Sequence, residues 1–280
     1  MKTTIITGGS SGIGKYTALG LAQKGFRVII ASRNEKKNQD VAEALRKDSG
    51  TKHIYGMELN LASFRSIRAF AKSFAQRFGK LDVLVNNAGL YTSDFQLTED
   101  GFEMQIGVNH FGHFLLTELL RNLLEQSNDP RLVVVSSISH LKGKIDFDSF
   151  RQKKGKYKGL QAYEQSKLAN ALFTLEHARR YPQIAANFLH PGTVRTPIAN
   201  KHSKWWISLG WTLLKPFMIS PEKGAQTSIF LASDPSLKGQ SGGYYDDKQR
   251  KRNPAPLAKD KTLAKTLWAY SLKAVKPYLT

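Results

Sequence analysis

The sequence predicts an α/β fold, a doubly wound parallel sheet with helices on both faces. Three observations predict it. Four short runs, at residues 3–7, 27–31, 81–85 and 131–135, are rich in Val, Ile, Leu and Thr and nearly continuous in apolar residues. That is the pattern of strands buried on both faces. Amphipathic stretches of helical period lie between them, as a parallel sheet with crossover helices requires. A glycine-rich turn, Thr7 to Gly14, joins the first strand to the first helix.

Taken in order, Thr3 to Thr7 is the first strand and Gly14 to Lys24 the first helix. A strand at 27–31 and a helix at 35–47 follow. His53 to Leu59 is a weaker strand, then come a helix at 63–77 and the strand at 81–85. A long helix is predicted over 100–125, a strand over 131–135, a helix over 159–181 and a weaker strand over 184–189. No internal repeat or low-complexity linker interrupts the series, so residues 1–280 read as one domain. Two basic regions break the rhythm and read as solvated surface. Residues 142–158 carry seven Lys or Arg against Asp146 and Asp148, and residues 248–273 carry eight against Asp260.

Composition bounds the function. The 280 residues include 42 Lys and Arg against 22 Asp and Glu, a formal charge of +20. Such an excess suits a nucleic acid, an anionic membrane surface or an enzyme for an anionic ligand. The chain has no Cys, which removes disulfide frameworks, thiolate metal sites and thiol nucleophiles. Met1 to Thr4 leads directly into a strand, without the apolar segment of a signal peptide. The most apolar segment, 205–219, is 15 residues long and contains Lys215, too short to span a membrane. These features predict a cytoplasmic protein, with peripheral membrane contact open.

The turn Gly8, Gly9, Ser10, Ser11, Gly12, Ile13 and Gly14 is placed to bind phosphate. Its glycines allow a sharp bend and close approach of backbone N–H groups, and a helix N-terminus adds partial positive charge. After the second strand, an acidic residue would favour NAD(H) by bonding the ribose hydroxyls. The sequence instead has Ala31, Ser32, Arg33 and Asn34. Arg33 could pair with a 2′-phosphate, which favours NADP(H) over NAD(H). The competing reading of Arg33 is one more exposed cation.

Five motifs in register resemble the short-chain dehydrogenase/reductase family. They are Thr7, Gly8, Gly12 and Gly14; Asn86-Asn87-Ala88-Gly89; Ser137; Tyr163 with Lys167; and Pro191-Gly192. Residues 108–114, 166–170, 190–196 and 220–227 further resemble the retinol dehydrogenase branch. The resemblance implies a Rossmann fold and a nicotinamide-dependent oxidoreductase. It implies Ser137, Tyr163, Lys167 and Asn109 as catalytic residues, Asn109 by holding a water that links Lys167 to solvent. It also implies cofactor contacts from Asn86, Ala88, Gly89, Pro191, Gly192, Thr193, Val194 and Thr196. Where the family commonly has Asp against the adenine, this chain offers Asn60 and Leu61. The 26-residue separation of Ser137 from Tyr163 is about twice the family's usual spacing and holds the first basic region.

Tyr163 and Lys167 are four apart on a predicted helix and share a face. A nearby ammonium favours the phenolate. Lowering a phenol from about 10 by three units takes about 4 kcal/mol. Tyr163 would then act as general acid in reduction and base in oxidation. Ser137, at the carboxyl end of a strand, would hold the substrate oxygen, with Ser136 and Ser139 as rivals. His110 and His113 share a helix face, but no third metal ligand has an obvious place, so no metal is predicted. Residues 197–220 read as a substrate lid, with Trp205, Trp206, Trp211, Leu213, Leu214, Phe217 and Met218 suiting a lipophilic carbonyl or alcohol. The same Trp residues beside Lys201, Lys204 and Lys215 suit a membrane interface. The family also implies a homodimer or tetramer. The competing functions are a non-catalytic NADP(H) sensor, against which the intact Ser137, Tyr163 and Lys167 speak, and a nucleic-acid binder, which lacks any recognition motif.

Overall fold

A computed structural model of the chain describes residues 1–152, 155–194 and 218–279. Lys153, Lys154, Thr196 and all of the predicted lid except Met218, Ile219 and Ser220 lie outside the described residues. Among these residues, eight strands form one sheet in the order β3-β2-β1-β4-β5-β6-β7-β8. These are β1 (Thr3–Thr7), β2 (Arg27–Ser32), β3 (Ile54–Glu58), β4 (Val83–Asn86), β5 (Arg131–Val135), β6 (Ala185–Leu189), β7 (Tyr244–Tyr245) and β8 (Lys251–Arg252). Each neighbouring pair is parallel except β7 with β8. The six predicted strands are all present.

Period-two alternation sends successive side chains to opposite faces. Ile5, Ile29, Leu84, Leu132 and Val134 join one buried apolar cluster, while Ile6, Val28, Ile30, Val85 and Val133 join the other. Helices α1 (Gly12–Gln23), α2 (Glu35–Ser49) and α6 (Pro221–Ser233) cover the second face. Helices α3 (Phe64–Phe78), α4 (Gly112–Glu125), α5 (Gly159–Arg180) and α7 (Lys261–Val275) cover the first. The sheet order reverses between β1 and β4, which opens a crevice at the carboxyl ends of those strands.

Two expectations are corrected. The helix predicted from Asp100 starts at Met104, because the Glu103 carboxylate caps it by accepting from the Gln105 and Ile106 amides at 2.9 Å each. A single α turn, Met104–Ile106, then widens into a π-helical segment, Gly107–Phe111, where the Gly112 amide bonds to the Gly107 carbonyl. The basic region 248–273 is not wholly solvated. Its second half is α7, which buries Ala264, Leu267, Trp268 and Ser271 while Lys261, Lys265 and Lys273 face outward. Asp260 caps it by accepting from the Thr262 and Leu263 amides. The 142–158 region is likewise anchored, by fully buried Phe150 against Phe111 and Tyr270. Among the described residues, no helix is long and apolar enough to cross a membrane.

Candidate active site

The turn between β1 and α1 is built by its glycines. Gly8 and Gly12 have φ of +67° and +53°, which L side chains rarely adopt. At Gly14 a Cβ would lie 2.5 Å from the Gly8 carbonyl oxygen, and at Gly9 one would lie 2.7 Å from Ile30. At the N-cap of α1, Ser11 makes no side-chain capping bond. The first amides of α1 thus lack a side-chain cap, an arrangement that fits a pyrophosphate at a helix N-terminus. Ile13 is buried beneath the turn. Ser10 reaches across to Ser32 at 2.9 Å. Ser32 donates to Asn38, whose amide donates to the Ser32 and Met57 carbonyls. Asn38 is fully buried and carries no motif, so sequence reading passed over it. Arg33 is exposed directly after β2. Asn60 follows β3, with its Oδ1 accepting from the Ala62 amide and its Nδ2 donating to Glu99. Leu61 is buried beside it.

The end of β4 is tied to β1 through Thr7. The Thr7 hydroxyl oxygen accepts from the Asn87 and Ala88 amides at 2.9 Å each and bonds to His113 Nε2 at 2.9 Å. The Asn86 side chain is turned inward, donating to Thr117 at 3.0 Å, so it can serve a cofactor only through its backbone. His113, read from sequence only as a conceivable ligand, is a buried strut between Thr7 and the Asn109 carbonyl. His110 is likewise buried and bonds to Ser271 at 2.8 Å.

Two of the predicted residues, Lys167 and Asn109, converge beside Gly89. A Cβ there would lie 3.3 Å from Lys167 Nζ and 3.5 Å from Asn109 Oδ1. Asn109 is fully buried in the π-helical segment. Its Oδ1 accepts from the Leu90 amide at 2.9 Å, and its Nδ2 donates to the Leu90 carbonyl and to Ser166. Both ends of its amide are therefore engaged by protein. Lys167 is buried on α5 and donates to the Val135 carbonyl at 3.2 Å. Its ammonium lies 5.5 Å from the centre of the half-buried Tyr163 ring. The Ser137 hydroxyl is near enough to the Tyr163 phenol to favour its charged form, and Tyr91 meets the ring edge-on. Of the rival serines, Ser136 is buried and donates to the Lys167 carbonyl at 2.9 Å, while Ser139 bonds to Ser137 itself. The expected lowering of the phenol is not met in the chain by itself. Burial pushes Tyr163 up to about 12, against the nearby Ser137 hydroxyl that lowers it, and pulls Lys167 down to about 8. Desolvation disfavours both charged forms.

Pro191 and Gly192 follow β6, Gly192 with φ +79°. The Thr193 carbonyl accepts from the Ile219 amide at 3.0 Å, and Val194 packs against Gly224 and pairs with Ile219. A cleft of about 760 Å³ opens beside Ser137, lined by Ile138, Leu141, His190, Tyr244, Asp247 and Arg250 among others.

The family model for short chain dehydrogenases matches residues 2–206. This chain belongs to the short-chain dehydrogenase family. The dehydrogenase is 43% identical to retinol dehydrogenase 13 of Homo sapiens, over 98% of this chain and 84% of that one. It is 42% identical to retinol dehydrogenase 14 of Homo sapiens, over 96% and 85%. It is therefore an oxidoreductase of the retinol dehydrogenase-like branch. A solved structure of an uncharacterized protein from Mycobacterium Paratuberculosis matches it with a TM-score of 0.79 at 33% identity, over 99% of this chain and 94% of that one. A short chain dehydrogenase from Shigella flexneri 2a, solved with NADP, shares the fold with a TM-score of 0.70 at 24% identity, over 88% and 97%.

Proposed function

We propose that this dehydrogenase uses NADP(H) to interconvert a lipophilic carbonyl compound and its alcohol, with Tyr163 as general acid and base. The observation that carries the reading is that Lys167 meets Asn109 beside Gly89 and Tyr163 on its own helix, with Ser137 near that phenol, at the carboxyl ends of β4 and β5. The nicotinamide, when bound, exchanges a hydride with the substrate carbon. The turn at Gly8 to Gly14, with Ser10, Ser11 and Ile13, would hold its pyrophosphate. Arg33 would meet the 2′-phosphate, Asn60 and Leu61 the adenine side, and Asn86, Ala88 and Gly89 the ribose through their backbones. Pro191, Gly192, Val194 and Thr196 would border the nicotinamide. Solved relatives by fold, from Shigella flexneri and Escherichia coli, were crystallised with NADP and NADPH, which supports the choice.

Tyr163 holds its proton at neutral pH and so stands ready to donate it to a carbonyl oxygen. Ser137, close to the same phenol, would hold that oxygen and the charge it gains. Lys167 would steady the phenolate left behind, and Asn109 would fix the backbone against which Lys167 sits. Exposed Ile138 and Leu141 give the neighbouring cleft an apolar edge among Asp246, Asp247, Arg250, Lys251 and Arg252, and that edge would meet the apolar part of a substrate. The branch points to retinal-like aldehydes within this class. The test is a panel of aldehydes, ketones and alcohols with both cofactors. Aldehyde-dependent NADPH oxidation is expected, falling about 100- to 10,000-fold in Tyr163→Phe while NADPH binding persists. Cofactor binding without turnover across the panel would instead indicate a sensor.

A further inference from the structure

Ser137 ends β5 in extended backbone and caps the short turn Ile138–Leu141. Its hydroxyl accepts from the Ser139 amide and donates to the Ser139 hydroxyl, both at 3.2 Å, so these bonds stay within the same turn. Its carbonyl is bonded within the turn as well, but to a side chain that reaches outside it. That oxygen accepts from the His140 amide at 3.1 Å and from His140 Nδ1 at 2.7 Å. The other ring nitrogen, Nε2, accepts from the Ala255 amide at 3.3 Å, across 115 residues. A carbonyl can only accept and a backbone amide can only donate. The two bonds therefore require a neutral ring with its proton on Nδ1. His140 is completely buried. Its ring meets Phe188 and Tyr244 edge-on at 5.7 and 4.8 Å, and Ala255 is buried beside Ala258 in the segment leading to α7.

We propose that His140 is a positioning residue for the reaction: as the neutral Nδ1–H tautomer it links the Ser137 carbonyl to the Ala255 amide and thereby sets where the Ser137 hydroxyl meets Tyr163. This rests on the reading of Ser137 given above. The C-terminal segment acquires a part in catalysis that no motif announces. A protonated His140 would turn an N–H toward the Ala255 N–H, two donors face to face. Burial and His190 both hold its proton affinity down, and His190 and Tyr244 are the titratable side chains facing the ring.

Single and double variants of the full-length protein test this. His140→Phe keeps the ring and loses both nitrogens, and a misplaced Ser137 should lower kcat about 10- to 100-fold. KM and the NADPH Kd should stay within about twofold, because the cofactor turn is untouched. His140→Asn returns an N–H near the Nδ1 position and should recover most of the loss, with a flatter acid limb in the pH profile. In a Ser137→Ala background, His140→Phe should cost less than about twofold, since residues acting as one unit are not additive. Nitrogen NMR of the wild-type imidazole should show the Nδ1–H tautomer. A wild-type kcat in His140→Phe beside an inactive Ser137→Ala overturns the proposal alone, as does an undiminished penalty in the double variant or an Nε2–H tautomer. Full activity in Ser137→Ala overturns the reading of the site, and the proposal with it.

Discussion

Tyr163 and Lys167 were legible in the sequence because four residues on a helix fix a common face. Their electrostatics were not legible, because burial depends on what the rest of the fold stacks above them. The same holds for Asn109, whose amide is consumed by Leu90 and Ser166, and for Asn38 and His140, whose partners lie 19 and 115 residues away. Single polar residues buried among distant partners leave no periodic trace. Arg33 is a local feature, and its role can be tested at its own scale. Losing a charge-assisted hydrogen bond costs about 1.5–3 kcal/mol. Arg33→Ala should therefore weaken NADPH binding about 10- to 100-fold and leave NADH binding unchanged, as read by nicotinamide fluorescence. Equal losses for both cofactors would remove Arg33 from the 2′-phosphate.

Elements followed the same logic. The strands and crossover helices announced themselves through alternation and period. The short strands β7 and β8 did not, because two residues carry no pattern. Helix α7 was hidden by its surroundings: it lies in a basic stretch, although Ala, Leu, Trp, Tyr and Val outnumber its three lysines and form an apolar stripe that does the packing. Trp268 is the centre of that stripe, with ring centroids 5.0 Å from Phe114 and 5.8 Å from Phe173. Trp268→Ala should cost about 3–5 kcal/mol in urea unfolding. Lys265→Ala, on the exposed side of the same helix, should change stability by no more than about 0.5 kcal/mol. Similar effects at both positions would mean that α7 does not pack as described.

At the scale of the whole molecule, the charge of +20 sits mostly in an outer layer, over a core whose few buried charges include Arg131, Lys167, Asp82 and Glu176. His110, His113 and His177 are buried in that core. Desolvation holds His110 and His177 down to about 3 and His113 to about 4. In the unfolded chain all three take up protons near the ordinary value of about 6.5. Folded stability from these groups is full above that pH and falls as the pH drops towards 4. Glu118 opposes them with one proton, since burial raises it to about 6. Near pH 5 the net uptake on unfolding is about two protons, so calorimetry should show Tm falling steeply from pH 6.5 to 4. A Tm independent of pH across that range would contradict the buried neutral histidines. The outer layer also bears on how one copy meets the next. On the β8 side the sheet ends in a two-residue strand that runs against its neighbour and carries exposed Lys251 and Arg252. Short, charged edges resist pairing with other strands. Two such edges brought together would set cation against cation before any backbone bond could form, so polymerisation through this flank is opposed by length and by charge alike.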